Sequence, residues 1–157
     1  MPIHAKYIHT NLIARDWRRL AAFYQDVFGC VPVLPERDLA GEWLERGAGV
    51  PGARLRGLHL RLPGFGDSGP TLEIFQYSES VDTAPPPSNR VGFGHIAFSV
   101  EDVEAARDAV LAAGGSELGT VESIVITGAG KITWVYVRDP EGNIIELQRR
   151  DSQPAIR

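Results

Sequence analysis

The chain repeats itself. Tyr7-Ile8-His9-Thr10-Asn11-Leu12 leads into Asp16, a helical stretch and Gly29, while Phe93-Gly94-His95-Ile96-Ala97-Phe98 leads into Asp102, a second helical stretch and Gly115. From His to Asp is seven residues in both copies, and from His to Gly is twenty. A repeat of this length constrains the architecture before any motif does, because it is one supersecondary unit used twice. Each copy closes on a glutamate, Glu73 lying 64 residues after His9 and Glu146 lying 51 after His95. The first copy therefore holds 13 residues more, for which the Gly-rich stretch from Gly41 to Gly57 is the natural place. Four ligand-type residues delivered by a repeat suggest one metal site built by duplication.

A chain of 157 residues with 43% apolar content buries one sizeable core. We expect a single domain spanning 1–157, with module one at about 5–77, a linker at about 78–91 and module two at about 92–149. The linker contains Pro85-Pro86-Pro87 and has no apolar periodicity. The polar tail after Arg150 is expected to fray. Cys30 is the single cysteine, so no internal disulfide can form. The N-terminus lacks a basic-plus-apolar leader pattern, and no long apolar run occurs, which points to the cytoplasm and away from a membrane. Net charge is −4, with Lys and Arg scattered rather than striped, so nucleic acid is a poor partner. The Arg18-Arg19 and Arg149-Arg150 pairs read as solvated faces.

Asp16 is a good N-cap, after which Trp17, Leu20, Ala21, Tyr24, Val27 and Phe28 recur at helical spacing until Gly29. The copy runs from Asp102 through Val103, Ala106, Val110 and Ala113 to Gly114-Gly115. Alternation marks strands near 7–12, 31–34, 57–62 and 71–77 in module one. In module two, Ile132 to Val137 and Ile144 to Gln148 flank the strong turn signal Asp139-Pro140-Glu141-Gly142-Asn143. Each module thus reads β-α-β-β-β, and the fold class is α+β: two tandem modules forming a cupped mixed sheet with helices outside. Successive strand residues face opposite ways, so Leu72 and Ile74 can face the helix while Glu73 faces away. The same parity sets His95 against Ile96 and Phe98, and Glu146 against Ile145 and Leu147. His9, Glu73, His95 and Glu146 are then all expected inside the cup.

Two imidazoles and two carboxylates make a borderline-to-hard donor set, suited to a divalent Ni, Co, Mn, Zn or Fe ion. Such an ion polarises a carbonyl and stabilises an enediolate, while a neighbouring carboxylate, Glu146 or Glu73, moves the proton. Alone, any one of these residues reads as an ordinary exposed or hydrogen-bonded side chain; together, at repeat-matched positions, the metal reading is the stronger. His4 lies near the terminus, and His59 with Arg61 reads as solvent-facing, with a substrate anion as the alternative. Cys30 has no obvious base partner and reads as a packed thiol. Trp134 and Tyr136 read as packing residues. The extra segment in module one reads as either a lid or a surface loop.

The chain resembles the vicinal oxygen chelate superfamily, which contains glyoxalase I, methylmalonyl-CoA epimerase, extradiol dioxygenases and fosfomycin- and bleomycin-resistance proteins. The resemblance runs from Tyr7 to Gln148. It is carried by His9-Thr10-Asn11-Leu12, Phe23-Tyr24-Gln25-Asp26-Val27-Phe28-Gly29, Leu72-Glu73-Ile74, Gly94-His95-Ile96-Ala97-Phe98 and Arg138-Asp139-Pro140-Glu141-Gly142-Asn143-Ile144-Ile145-Glu146-Leu147. It implies paired modules, a small-molecule substrate and a homodimer. A fourth ligand at Glu73 is similar to the glyoxalase I and epimerase branch. That branch implies a lyase or isomerase acting on a small α-oxygenated carbonyl or thioester compound. Two alternatives stand beside it. An Fe(II) extradiol-type dioxygenase would need only His9, His95 and Glu146, and a metal-free binding or resistance protein would need none of the four. Glyoxalase I carries an arginine four residues after its first ligand and an asparagine four after its second, both holding glutathione. Here those positions are Ile13 and Tyr77, which puts glutathione in doubt.

Overall fold

The computed structural model describes residues 1–151, so the tail at 152–157 lies outside the described residues. The chain divides into two units, Met1–Thr83 and a second beginning at Ala84, with the division inside the proline-containing segment.

In the first unit, the Asp16 side chain accepts from Arg19 N at 3.1 Å and opens α1 (Trp17–Phe28). Gly29, at φ 67°, closes it by donating to Gln25 O at 3.0 Å. The left-handed conformation is one that only glycine adopts without strain. Around this helix run β1 (His9–Ile13), β2 (Val31–Ala40), α2 (Glu42–Ala48), β3 (Arg54–Arg61) and β4 (Thr71–Tyr77). The sheet order is β1-β4-β3-β2, with β1 parallel to β4 and the other pairs antiparallel. Helix α1 packs on β3 and β4. It presents Leu20, Phe23 and Tyr24, while the strands bury Leu58, Leu60, Leu72 and Ile74, and burying each large apolar side chain contributes about 1.5–3 kcal/mol.

The second unit rebuilds this plan. It contains β5 (Ile96–Ser99), α3 (Val103–Ala112), β6 (Ser116–Glu117), β7 (Glu122–Ile126), β8 (Gly130–Arg138) and β9 (Ile144–Asp151). Asp102 caps α3 by accepting from Ala105 N at 3.0 Å, the counterpart of the Asp16 cap. The sheet order is β5-β9-β8-β6, β7 also pairs with β8, and β5 is parallel to β9. Helix α3 packs on β8 and β9 through Val103 and Val110. The architecture is α+β with one mixed sheet per unit.

Three details depart from the simple β-α-β-β-β plan. In unit two the expected second strand is split into β6 and β7. Its register nevertheless matches that of β2. Val33 to Arg37 covers four steps against the two from His59 to Gly57, and Glu117 to Glu122 covers five against the three from Val137 to Trp134. Both second strands thus carry the same two-residue irregularity, a bulge retained through the duplication. Second, the extra residues of module one are not confined to the stretch from Gly41 to Gly57. Arg37 to Gly57 spans 20 positions where Glu122 to Trp134 spans 12, and His59 to Glu73 spans 14 where Tyr136 to Glu146 spans 10. The larger insertion builds α2, and the smaller one lengthens the β3–β4 connection. Third, Gly115 does not repeat the role of Gly29. The left-handed residue after α3 is Gly114 at φ 94°, whereas Gly115 is held by close packing, a Cβ there lying 2.4 Å from Arg138 O.

Helix α2 lands on the sheet face turned away from α1. Leu44 is buried there with Ala53 and Leu55, and Leu39, Phe75 and Tyr77 pack around them. The insertion is therefore a docked helix that covers part of this face. No helix among the described residues is long and apolar enough to cross a membrane.

Candidate functional site

In unit one the parallel ladder places Asn11 beside Glu73, which brings His9, two residues earlier, toward the same carboxylate. His9 Nε2 lies 3.6 Å from Glu73 Oε1. The antiparallel β3–β4 ladder then sets His59 directly opposite Glu73, and His59 Nε2 lies 2.9 Å from Oε2. Asn11 Nδ2 donates to Oε1 at 2.8 Å, and the His59 Nδ1 side meets Thr71 Oγ1 at 3.0 Å. Glu73 keeps 13% of its side chain exposed, so this is a shallow polar cluster rather than a buried one. Phe75 closes one side, its ring edge-on to His59 at 6.0 Å. Burial lowers the His59 pKa from the ordinary histidine value, the positive charges of Arg37 and His9 add to that shift, and Glu73 opposes it.

Unit two repeats the backbone arrangement with different neighbours. The β5–β9 ladder places Ala97 beside Glu146, and His95 Nε2 reaches Glu146 Oε2 at 2.8 Å. Opposite Glu146 across the β8–β9 ladder stands Tyr136, whose ring centroid is 4.8 Å from that of His95. Trp134 stacks edge-on against Tyr136 at 4.9 Å. Burial, and secondarily the charge of Glu146, raise the Tyr136 pKa, keeping the phenol protonated over the neutral range.

The four expected ligands thus form two His–Glu pairs, one per unit, at equivalent ladder positions. His59 is corrected from the solvent-facing reading. Alternation along β3 does turn it away from α1, but the register sets it against Glu73, and 20% of its side chain remains exposed. Trp134 and Tyr136 share the face of Glu146, whereas Val135 and Val137 supply the buried face of β8. Cys30 is buried, and desolvation pushes its thiol up to about 11, as befits a packed residue. His4 is exposed. Arg18 pairs with Glu36 at 2.9 Å on an exposed face. The residues that sequence reasoning assigned no role at the site are Asn11 and Thr71, and it did not pair His59 with Glu73. Their signal was the strand parity they share with His9 and Glu73.

The donor chemistry fits a borderline divalent ion. Imidazole nitrogen and carboxylate oxygen bind such an ion at about 2.0–2.2 Å, so two donors to one ion lie up to about 4 Å apart. The 3.6 Å between His9 and Glu73 satisfies this, and one donor atom each from His9, His59 and Glu73 all lie within 4.8 Å of one another.

Residues 6–147 match the family model described as the Glyoxalase/Bleomycin resistance protein/Dioxygenase superfamily. A probable lactoylglutathione lyase from Vibrio parahaemolyticus is 46% identical, with 92% of this chain and 90% of that protein aligned. A putative lactoylglutathione lyase from Brassica oleracea is 29% identical over 95% of this chain, which spans only 46% of that protein's length. Among solved structures, a glyoxalase family protein from Bacillus cereus superposes with a TM-score of 0.76 at 16% identity, covering 96% of this chain and 97% of that one. A fosfomycin resistance protein from Listeria monocytogenes, solved with Mn(II) and sulfate, gives a TM-score of 0.51 at 17% identity, covering 96% and 95%. At these identities the two structures speak to the fold alone.

Proposed function

The chain belongs to the glyoxalase/bleomycin resistance protein/dioxygenase superfamily, and from that premise we propose that it is a metal-dependent lyase or isomerase of the glyoxalase-like type. It moves a proton on a small α-oxygenated carbonyl or thioester compound. His9, Glu73, His95 and Glu146 are the candidate metal donors, one His–Glu pair in each unit. The observation that carries this reading is the repetition of the His–Glu pair at matched ladder positions, Asn11 beside Glu73 and Ala97 beside Glu146, each two residues after its histidine.

When bound, a divalent ion polarises the substrate carbonyl and acidifies the adjacent C–H. The side chains do the rest. Glu146 or Glu73 accepts the proton from carbon and returns it to the neighbouring position, a step that requires a carboxylate within hydrogen-bond reach of the reacting carbon. Phe75 beside Glu73, and Trp134 and Tyr136 beside Glu146, give each pair an apolar flank that limits water. Ile13 and Tyr77 support a substrate other than the glutathione hemithioacetal. Ile13 is 45% exposed and carries no charge, and Tyr77 packs in the apolar cluster around Leu44.

The test is incorporation of solvent deuterium at substrate carbon by metal-loaded enzyme, with the methylglyoxal–glutathione adduct as the first substrate and glutathione-free α-hydroxy carbonyl compounds next. Exchange should disappear in Glu146→Gln while metal content is kept. Undiminished exchange in that variant would remove Glu146 as the base. Elemental analysis of the wild type, His9→Ala and Glu73→Ala should show metal falling in both variants. Full metal without Glu73, together with oxygen uptake on catechols, would replace this reading by the dioxygenase. Ligand binding that survives complete metal removal without turnover would replace it by a binding protein.

A further inference from the structure

Glu73 and Glu146 stand at equivalent ladder positions, yet they are held differently. Both oxygens of Glu73 meet donors from outside the expected ligand set: Asn11 Nδ2 at 2.8 Å from Oε1, and His59 Nε2 at 2.9 Å from Oε2. The counterparts of those two residues around Glu146 are Ala97 and Tyr136. Alanine has nothing to donate. Tyr136 approaches His95 with its ring, and the polar contact of Glu146 is with His95 itself, at 2.8 Å.

The donor assignment follows from elementary chemistry. An ionised carboxylate only accepts, so His59 Nε2 carries a proton. In neutral His59 the other nitrogen is then an acceptor, and the Thr71 hydroxyl 3.0 Å away is placed to donate to it. Thr71 thus orients His59, and His59 orients Glu73. Each carboxylate oxygen still has a second lone-pair direction open for a cation. This is the arrangement by which hydrogen-bonded neighbours hold a carboxylate in its coordinating orientation.

We propose that Asn11 and His59 are positioning residues that lock the Glu73 carboxylate in place for a divalent ion, a device present in unit one and absent from unit two. The inference rests on the reading of Glu73 as a metal donor. It predicts an affinity effect confined to one half of the duplicated set.

The experiment is a Co(II) titration of the metal-free protein against a competing chromophoric chelator, with the visible Co(II) absorption recorded at saturation. The variants are Asn11→Leu, His59→Leu, His59→Gln and, as the unit-two control, Tyr136→Phe. The wild type should bind one Co(II) per chain. Asn11→Leu and His59→Leu should each weaken binding by about 10–100-fold. Their saturated spectra should match the wild type, because no donor to the ion has been removed. His59→Gln, whose amide N–H can still reach Glu73, should recover most of the loss, and it also covers the case in which His59→Leu does not fold. Tyr136→Phe should shift affinity by less than about 2-fold, because no lock acts on Glu146. Wild-type affinity in Asn11→Leu and in His59→Leu would overturn the inference alone. A changed Co(II) spectrum in His59→Leu without rescue by Gln would also overturn it, making His59 a direct donor. A wild type that takes up no Co(II) would overturn the metal reading and this inference with it.

Discussion

The two units share a backbone and differ in what they hang on it. Register makes Gly57 the counterpart of Trp134, His59 of Tyr136, Asn11 of Ala97 and Phe75 of Gln148. In unit one the bulky ring comes from β4, with Phe75 lying over a bare Gly57. In unit two it comes from β8, with Trp134 beside Gln148. The polar neighbours of the carboxylate follow the same division: Asn11 and His59 around Glu73, an aromatic surface around Glu146. The His–Glu pairing needs only the ladder and so survives in both halves. The surrounding side chains are chosen separately, which lets one duplicated pair be rigidly held and the other aromatic-walled.

The sharpest way to break this comparison is at Gly57. A Cβ there would sit 1.9 Å from Ile74 O and 2.6 Å from Phe75 Cδ1. The first contact is with backbone and cannot be relieved by a rotamer change. Gly57→Ala should therefore destabilise the protein by about 3 kcal/mol or more, read from urea unfolding. Adding Phe75→Ala should not restore it. Recovery in the double variant would mean that only the ring, and not the β3–β4 backbone approach, forbids a side chain where unit two carries Trp134.

The contrast at Gly57 also separates what could be read from the chain from what could not. The His9–Glu73 and His95–Glu146 pairs, the two aspartate caps and both helices follow from spacing and parity, because those signals are local and occur twice. His59 was visible as a residue on the right face of β3, but its partner depends on register. The longer β3–β4 connection puts His59 14 residues before its glutamate where Tyr136 lies 10 before Glu146, so the pairing is not visible in the repeat spacing, and a one-residue slip would turn His59 to the other side. Helix α2 had signals too: Glu42 and Glu45 in its first turn, Arg46 in its last, and Gly49 at φ 69° after its end. The surrounding glycines concealed it, and its stability comes from docking Leu44 on the sheet, a contact no local pattern reports.

A smaller effect should separate the two turns that precede the glutamate strands. In unit two, Asp139 is buried, with Oδ1 accepting from Glu141 N at 2.9 Å and Asn143 N at 3.0 Å, and Oδ2 accepting from Asn143 Nδ2 at 2.8 Å. In unit one the longer connection carries a short 3-10 turn, Gly66–Ser68, whose Asp67 meets Arg61 at 3.1 Å with 98% of its side chain exposed. Asp139→Ala leaves three half-buried donors without their acceptor and should cost about 2 kcal/mol. Asp67→Ala should stay within about 0.5 kcal/mol, as isolated exposed pairs do. Equal losses would mean that the turns are equally structured and that the longer connection is no looser than the short one.

The smallest effect lies in titration, where the two rings opposite the glutamates should move in directions set by their surroundings. His59 titrates below the ordinary value of 6.5 because burial disfavours its charged form, with Arg37 adding repulsion. Tyr136 titrates above 10.0, chiefly from burial and then from the charge of Glu146. For His59 the sign is fixed: between its folded pKa and 6.5 the unfolded chain binds the extra proton, so folding stability falls as pH drops through that window and levels off below it. In metal-free protein, NMR titration of the His59 ring should place its midpoint below 6.5, and Arg37→Met should move it upward while leaving Tyr136 unchanged. A His59 midpoint that rose above the ordinary value would mean that Glu73 outweighs burial. Below that midpoint His59 would be a cation with both ring nitrogens donating, and the Thr71 hydroxyl would accept from Nδ1 instead of donating to it.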